Sequence, residues 1–119
     1  MGVTTLHGIR NCDTVKKARA WLDAQGVAYA FHDFKTQGLP PAMLDAWMQE
    51  HGWEALLNRA GTTFRKLPEA DRLGLDAPRA RALMLAQPSM VKRPVLELAD
   101  GRRVIGFRPE GYAAVFSVA

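Results

Sequence analysis

The stretch LHGIRNCDTVKKA, residues 6–18, decides the fold and contains the only cysteine of the chain, Cys12. A short segment over residues 3–7 contains β-branched residues and is followed by Gly8, which is typical of a strand that ends there. Apolar residues then recur at spacings of three and four, which predicts a helix over residues 13–25. We therefore expect Cys12 at a junction between a strand and a helix.

The predicted helix has one apolar face, formed by Val15, Ala18 and Leu22. Asp13 or Thr14 is the expected cap at its start, since short polar side chains accept hydrogen bonds from free helix amides. Gly26 is the expected end, because glycine tolerates the left-handed conformation that closes many helices.

The remaining pattern predicts a second strand, a helical region and a hairpin. The predicted elements are a strand over 27–34, a helix between 41 and 52, a short helix over 53–60, a polar connection over 62–67, a helix over 78–87, strands over 95–98 and 103–107 joined by a turn at Asp100–Gly101, and a helix over 111–118. A β-α-β unit followed by helices and a hairpin indicates an α/β domain over residues 1–119. Its sheet is mixed and four-stranded, with flanking helices.

The composition limits the classes of function. The chain has 119 residues, a net charge of +4 and one cysteine, which excludes an internal disulfide and a multi-cysteine metal site. The three histidines are not at metal-ligand spacing, so we expect no metal. The positive charge permits an anionic partner. The chain has no basic tract with interleaved aromatic residues, which is the pattern that would predict binding to nucleic acid. No apolar run approaches the ~18 residues of a membrane span. The first residues do not resemble a signal peptide, so we expect a cytoplasmic location.

Cys12 is a candidate reactive thiol. The first amides of a helix carry partial positive charge and stabilise an anion, and nearby cations lower a thiol pKa further. Arg10, Lys16 and Lys17 are close in sequence, whereas the charge of Asp13 opposes a thiolate. The alternative is a buried, inert cysteine, which is common in proteins.

Five segments, in order, resemble one known family. They are GIRNCDTVKKARAWL at 8–22, FHDF at 31–34, LLNRAGTTFRKL at 56–67, VKRPVL at 91–96 and IGFRPEGY at 105–112. Together they resemble the arsenate reductase (ArsC) family and, within it, the YffB-like branch. The resemblance implies a thioredoxin-like fold with a helical insertion between the second and third strands, here at about residues 40–88.

The resemblance also implies roles for individual residues. Cys12 takes the place of the nucleophile, and Arg93 and Arg108 take the places of two arginines that bind the oxyanion and stabilise the thiolate. A third arginine falls within residues 56–67, with Arg59 the nearest candidate and Arg65 the alternative. Pro94 takes the place of the cis-proline that faces the cysteine. Guanidinium groups suit this purpose because they bind oxyanions and carboxylates through paired hydrogen bonds.

Three positions depart from the arsenate reductases. Those enzymes have a histidine four residues before the cysteine, where this chain has Gly8, and His7 falls one residue earlier. They have serine and arginine at the third and fourth positions after it, where this chain has Val15 and Lys16. Strand alternation would turn the His7 side chain to a different side. These departures favour thiol chemistry over arsenate.

The single cysteine decides how a catalytic cycle could close. A thioredoxin-type enzyme uses a second cysteine to resolve its mixed disulfide, and this chain has none. An external thiol must therefore complete the cycle. Glutathione is the expected co-substrate, and glutaredoxin is expected to act together with it. We expect no bound cofactor, a small anionic substrate and a monomer. The resulting hypothesis is a glutathione-dependent thiol reductase or an arsenate reductase-like enzyme. The alternative is a regulator that resembles Spx and binds RNA polymerase.

Overall fold

The computed structural model describes residues 2–116, in which strands and helices alternate at both ends and helices fill the middle. The strands are β1 (Thr5–Gly8), β2 (Ala30–Asp33), β3 (Val95–Glu97) and β4 (Arg103–Ile105). The helices are α1 (Asp13–Ala24), α2 (Phe34–Gln37), α3 (Pro41–His51), α4 (Trp53–Leu56), α5 (Thr62–Arg65), α6 (Glu69–Arg72), α7 (Ala77–Ala86) and α8 (Pro109–Val115), with a 3-10 turn at Pro88–Met90.

The four strands form one mixed sheet in the order β2-β1-β3-β4. β1 and β2 are parallel, whereas β1–β3 and β3–β4 are antiparallel. The predicted turn joins β3 to β4: Gly101 has a φ of 93°, and the Leu98 N–H donates to the Arg102 carbonyl at 2.8 Å. This arrangement confirms the predicted α/β class and matches the thioredoxin-like fold that the resemblance implies.

The apolar face of α1 packs on one side of the sheet. Its residues Val15, Ala18 and Leu22 are fully buried, as predicted. They share a core with Leu6 of β1 and with residues of β3 and α8; the remaining buried members are Leu96, Leu98 and Tyr112. Burying such side chains stabilises a fold by about 1.5–3 kcal/mol each. The helix therefore presses its first turn against the end of β1.

The start of α1 differs from the prediction. Cys12 itself is the N-cap residue, with extended backbone angles, and neither Asp13 nor Thr14 caps the helix. Asp13 is the first helical residue, so the predicted capping role of Asp13 or Thr14 is wrong. The first amides of α1 are therefore open to an anion at position 12. The end of α1 agrees better with the prediction, since Gly26 follows the C-cap Gln25 and has a φ of 70°.

Residues Phe34–Lys92 form a compact unit of their own, separate from the unit that contains the sheet. This unit contains α2 to α7 and the 3-10 turn, so its regular structure is helical. It starts earlier and ends later than the predicted insertion at 40–88. Its core includes the fully buried Trp47, Leu44 and Met84.

Several predicted bounds are corrected by the structure. The segment 62–67 is not a plain connection, because α5 forms there around the buried Phe64. The short helix over 53–60 is limited to α4. The strands are shorter than predicted, and the last helix begins at Pro109. Part of its predicted extent, at residues 117–118, lies outside the described residues. No helix within residues 2–116 is long and apolar enough to cross a membrane.

Candidate active site

Cys12 lies at the junction of β1 and α1, as the sequence predicts. Its N–H donates to the Ile9 carbonyl at 3.1 Å, which closes a tight turn after the strand. Its own carbonyl accepts from the Lys16 N–H at 2.9 Å, which is the first hydrogen bond of the helix. The residue is partly exposed, so its thiol is held by the backbone and remains open to a reactant.

The surroundings of Cys12 favour the thiolate. Partial burial disfavours the charged form, but other contacts outweigh it and hold the pKa of the thiol below its ordinary value. They are a hydrogen bond from the Val15 N–H, a hydrogen bond and the charge of the Arg93 guanidinium, and a hydrogen bond from the Thr14 N–H. The helix amides and one arginine therefore act together on the sulfur.

Arg93 is held in place by the sheet. It is partly buried and lies two residues before the start of β3, and its peptide bond to Pro94 is cis, as predicted. The Pro94 carbonyl accepts a hydrogen bond from the Gly106 N–H at 2.8 Å, just after β4. The residue that follows Arg93 is thus hydrogen-bonded to the chain just after β4, and the Arg93 guanidinium interacts with the Cys12 thiol.

The other predicted binding residues of this unit lie on its surface. Arg108 is exposed and is the N-cap residue of α8. The Arg10 side chain is 72% exposed, with its Nε 4.0 Å from Asp33 Oδ2 and its guanidinium 5.6 Å from the centre of the Phe31 ring. Lys16 is also exposed; the influences that lower the thiol pKa include the helix amides and Arg93, and a role of Lys16 stays a prediction.

Arg59 belongs to the helical unit Phe34–Lys92. It is exposed, and its guanidinium lies 5.7 Å from the centre of the Trp53 ring. Arg65, the alternative candidate, is exposed in the last position of α5. Which of the two serves the site stays a prediction.

A partly buried polar cluster on the sheet was missed by sequence reasoning. His7 and His32 face each other across β1 and β2, with their Nδ1 atoms 2.8 Å apart. His7 Nε2 lies 3.3 Å from Glu97 Oε1, and the Arg103 Nε–H donates to Glu97 Oε2 at 2.8 Å. His7 thus points away from the face that carries Leu6, as strand alternation predicts. The only signal for this cluster in the sequence is two histidines in separate strands.

The chemistry of these groups assigns the donors. Ionised Glu97 only accepts, so the His7 Nε2–H must donate to it. Neutral His7 then accepts at Nδ1, and His32 must donate its own Nδ1–H. A second proton on His7 would bring two donors face to face. The hydrogen bond and the charge of Glu97 raise the pKa of His7. Burial, the charge of His32 and the charge of Arg103 together outweigh this effect, so that the pKa of His7 is lowered.

This lowered pKa predicts a loss of stability in mild acid. The unfolded chain keeps a histidine pKa near 6.5 and binds the proton more readily than the folded protein does. The contribution of His7 is therefore complete above pH 6.5 and is lost as the pH falls through 6.5 towards the folded value. The contribution of His7 is measured by urea unfolding of wild type and of His7→Gln, each at about pH 7.5 and about pH 5.5. We expect the wild type to lose more unfolding free energy over this interval than the variant, and equal losses would contradict the prediction.

Within residues 2–116, no group of three or more histidine, cysteine, aspartate or glutamate side chains is arranged to hold a metal ion. The groups that the candidate site offers for chemistry are Cys12, the first amides of α1 and Arg93.

Comparison with known proteins assigns the chain to a family. The model of the ArsC family matches residues 7–115. The solved structure of the YFFB (PA3664) protein is 59% identical, with 93% of this chain and 96% of that chain covered and a TM-score of 0.88. An arsenate reductase (ArsC) related protein from Brucella melitensis is also 59% identical, with coverages of 98% and 95% and a TM-score of 0.78.

A third relative is a regulator. The global transcriptional regulator Spx of Streptococcus agalactiae is 30% identical over 109 residues, which span 89% of this chain and 77% of that protein. Reductase-related proteins and regulators are thus both similar to this chain. The match over nearly all of its length shows that the chain belongs to the ArsC family.

Proposed function

We propose that the protein is a glutathione-linked reductase in which Cys12 is the nucleophile. One observation carries the proposal: the thiol sits at the start of α1 beside Arg93, where its pKa is lowered. Thiolate is the reactive form of cysteine, so a lowered pKa raises the reactive fraction near neutral pH. A buried, inert cysteine has the opposite environment, with its pKa raised by apolar surroundings.

The proposed substrate is a mixed disulfide between glutathione and another thiol. The Cys12 thiolate attacks the glutathione sulfur, a new sulfur–sulfur bond forms, and the substrate leaves as its thiolate. A second glutathione, as thiolate, attacks the Cys12–glutathione disulfide and releases glutathione disulfide and free Cys12. In sum, one mixed disulfide and one glutathione give one reduced thiol and one glutathione disulfide, a two-electron exchange.

External resolution follows from the single cysteine of the chain. Because no second thiol can close an internal disulfide, glutathione or a glutaredoxin must accept the glutathione moiety. This cycle needs a compartment rich in reduced glutathione, which agrees with the predicted cytoplasmic location.

The proposed anion site uses the arginines near Cys12. Arg93 contacts the sulfur and is placed to bind a carboxylate or oxyanion as well, because its guanidinium carries several donors. Arg108 and Arg10 are exposed cations of the same unit and are proposed to bind the carboxylates of glutathione, with Lys16 beside them. The binding role of Arg59, which belongs to the helical unit, stays a prediction from the family resemblance.

Arsenate is the competing substrate. Its reduction to arsenite also takes two electrons, which two glutathione molecules supply on forming glutathione disulfide while one oxygen leaves as water. Gly8 and Val15 differ from the arsenate reductase pattern, so we propose the mixed disulfide as the better substrate.

A turnover panel tests the proposal. Wild-type protein is supplied with glutathione and either a glutathionylated peptide or arsenate, and formation of glutathione disulfide is followed. Glutaredoxin is added only in the arsenate assay, because it would reduce the peptide by itself. We expect turnover with the peptide at a rate well above that with arsenate. Faster turnover with arsenate would reverse the substrate assignment, and turnover with neither would contradict a reductase function.

A regulatory role is the second candidate, favoured by the similarity to the Spx regulator. In that role the chain would bind RNA polymerase rather than turn over a substrate. Purified polymerase and the tagged chain, mixed with and without Cys12 alkylation, test it. Stable binding together with no turnover in the panel would favour the regulator, whereas turnover without binding would exclude it.

A further inference from the structure

Gly8, the last residue of β1, is in close contact with Val15 in the first turn of α1. A Cβ atom built on Gly8 would lie 2.7 Å from Val15 Cγ2 and 3.4 Å from Val15 Cγ1. Real Cβ atoms essentially never approach another atom as closely as the first of these distances. The Val15 side chain therefore fills the space that a side chain at position 8 would need.

Backbone conformation does not explain the glycine. Gly8 does not adopt a positive φ, whereas Gly26 and Gly106 do, at 70° and 82°. Any residue could adopt the strand conformation of Gly8. What sets Gly8 apart is that its missing side chain lets Val15 pack directly on the strand.

Val15 links this contact to the thiol. Its side chain is fully buried in the core that includes Leu6 and Ala18, so its orientation is fixed by packing. Its N–H is the third amide of α1 and is the strongest of the influences that lower the pKa of the Cys12 thiol. Side chain and amide belong to the same residue, so a shift of the one moves the other.

We propose that Gly8 and Val15 are positioning residues, whose contact holds the Val15 amide against the Cys12 sulfur and so sets the reactivity of the thiol. The inference rests on the proposed role of Cys12 as a thiolate nucleophile. Neither residue touches the reactant; both act through the direction of one N–H bond. A site whose supporting residues are locked by packing keeps its geometry before the reactant arrives.

Gly8→Ala tests the contact by crowding it. The added methyl group displaces the Val15 side chain and with it the amide. We expect the Cys12 pKa to rise and alkylation by iodoacetamide at neutral pH to slow by about threefold or more, since a tenfold change corresponds to one pKa unit. The thiolate is titrated by its ultraviolet absorbance. Val15→Ala removes the contact without a clash, and we expect a smaller change in the same direction.

The double variant Gly8→Ala/Val15→Ala should restore reactivity. The Cβ built on Gly8 lies 3.7 Å from Val15 Cβ, which is ordinary van der Waals contact, so two alanines fit where glycine and valine now pack. We expect its thiol pKa and alkylation rate to return towards the wild-type values. A residue that acted only on stability would not produce this recovery.

Leu22→Ala is the matched control, because Leu22 is equally buried on the same face of α1 but lies further from the thiol along the helix. It should lower stability in urea and leave the thiol pKa unchanged. An unchanged pKa in folded Gly8→Ala and Val15→Ala, or a double variant no better than Gly8→Ala, would overturn the inference. An ordinary pKa in wild type, or no turnover in the panel, would instead count against the proposed function, so the two failures are distinct.

Discussion

Replacing Cys12 with serine should reduce turnover of a glutathionylated peptide by about 10³-fold or more, the scale on which loss of an enzyme nucleophile acts. Serine is nearly isosteric, but its hydroxyl does not ionise near neutral pH, even beside Arg93 and the amides of α1. The chain has no other cysteine that could take over. The measurement is the rate of glutathione disulfide formation with the peptide and glutathione in excess and without glutaredoxin, which would reduce the peptide by itself.

Two controls make this result specific. Unfolding in urea should show that the Cys12→Ser variant keeps the wild-type stability closely enough to be folded under assay conditions. Mass spectrometry of wild type taken during turnover should show one glutathione attached at Cys12, and none on the variant. Activity that survives in the variant would refute the assignment of the nucleophile.

Arg93→Ala should raise the pKa of the Cys12 thiol and slow its alkylation at neutral pH by about tenfold. A hydrogen bond to a charged group contributes about 1.5–3 kcal/mol, and the partial exposure of Cys12 places the effect at the lower end. Arg93→Lys should fall between wild type and alanine, because lysine keeps the charge but lacks the planar fork of donors. The thiol pKa is read from the pH dependence of iodoacetamide alkylation.

Arg102→Ala is the matched control for charge. Arg102 lies in the turn between β3 and β4 and pairs with Asp100 at 2.8 Å, so its loss removes the same charge without touching the thiol. We expect its alkylation profile to follow wild type. If Arg93→Ala and Arg102→Ala gave the same profile, the general charge of the protein, and not a contact, would be tuning Cys12.

The unit that contains the sheet was predictable because the sequence patterns that specify it involve residues close to one another along the chain. The spacing of Val15, Ala18 and Leu22 specifies one helix face, and Asp100–Gly101 specifies one tight turn. Each signal involves residues that are close in sequence, and each is confirmed by the structure. The short helices of the other unit were harder, because one turn such as α5 has too few residues to show a period. The helix α5 becomes apparent only in the structure, where it forms around the buried Phe64.

The site was predictable to a smaller extent. The junction around Cys12 follows from local pattern, whereas the place of Arg93 came from resemblance to a family. The contact of His7 with His32 and Glu97 joins three strands, and no local pattern specifies which side chains meet across strands. The contact of Gly8 with Val15 was likewise invisible, since a glycine at a strand end is also what an ordinary turn would show.

The sheet unit is assembled from two pieces of chain, one that ends at Asp33 and one that begins at Arg93. During synthesis Cys12 leaves the ribosome long before Arg93, β3 and β4 exist. Until then the cysteine lacks both its arginine and the strand that completes the core beneath α1. The thiol therefore gains the hydrogen bond and the charge of Arg93, which lower its pKa, only when most of the chain has been made.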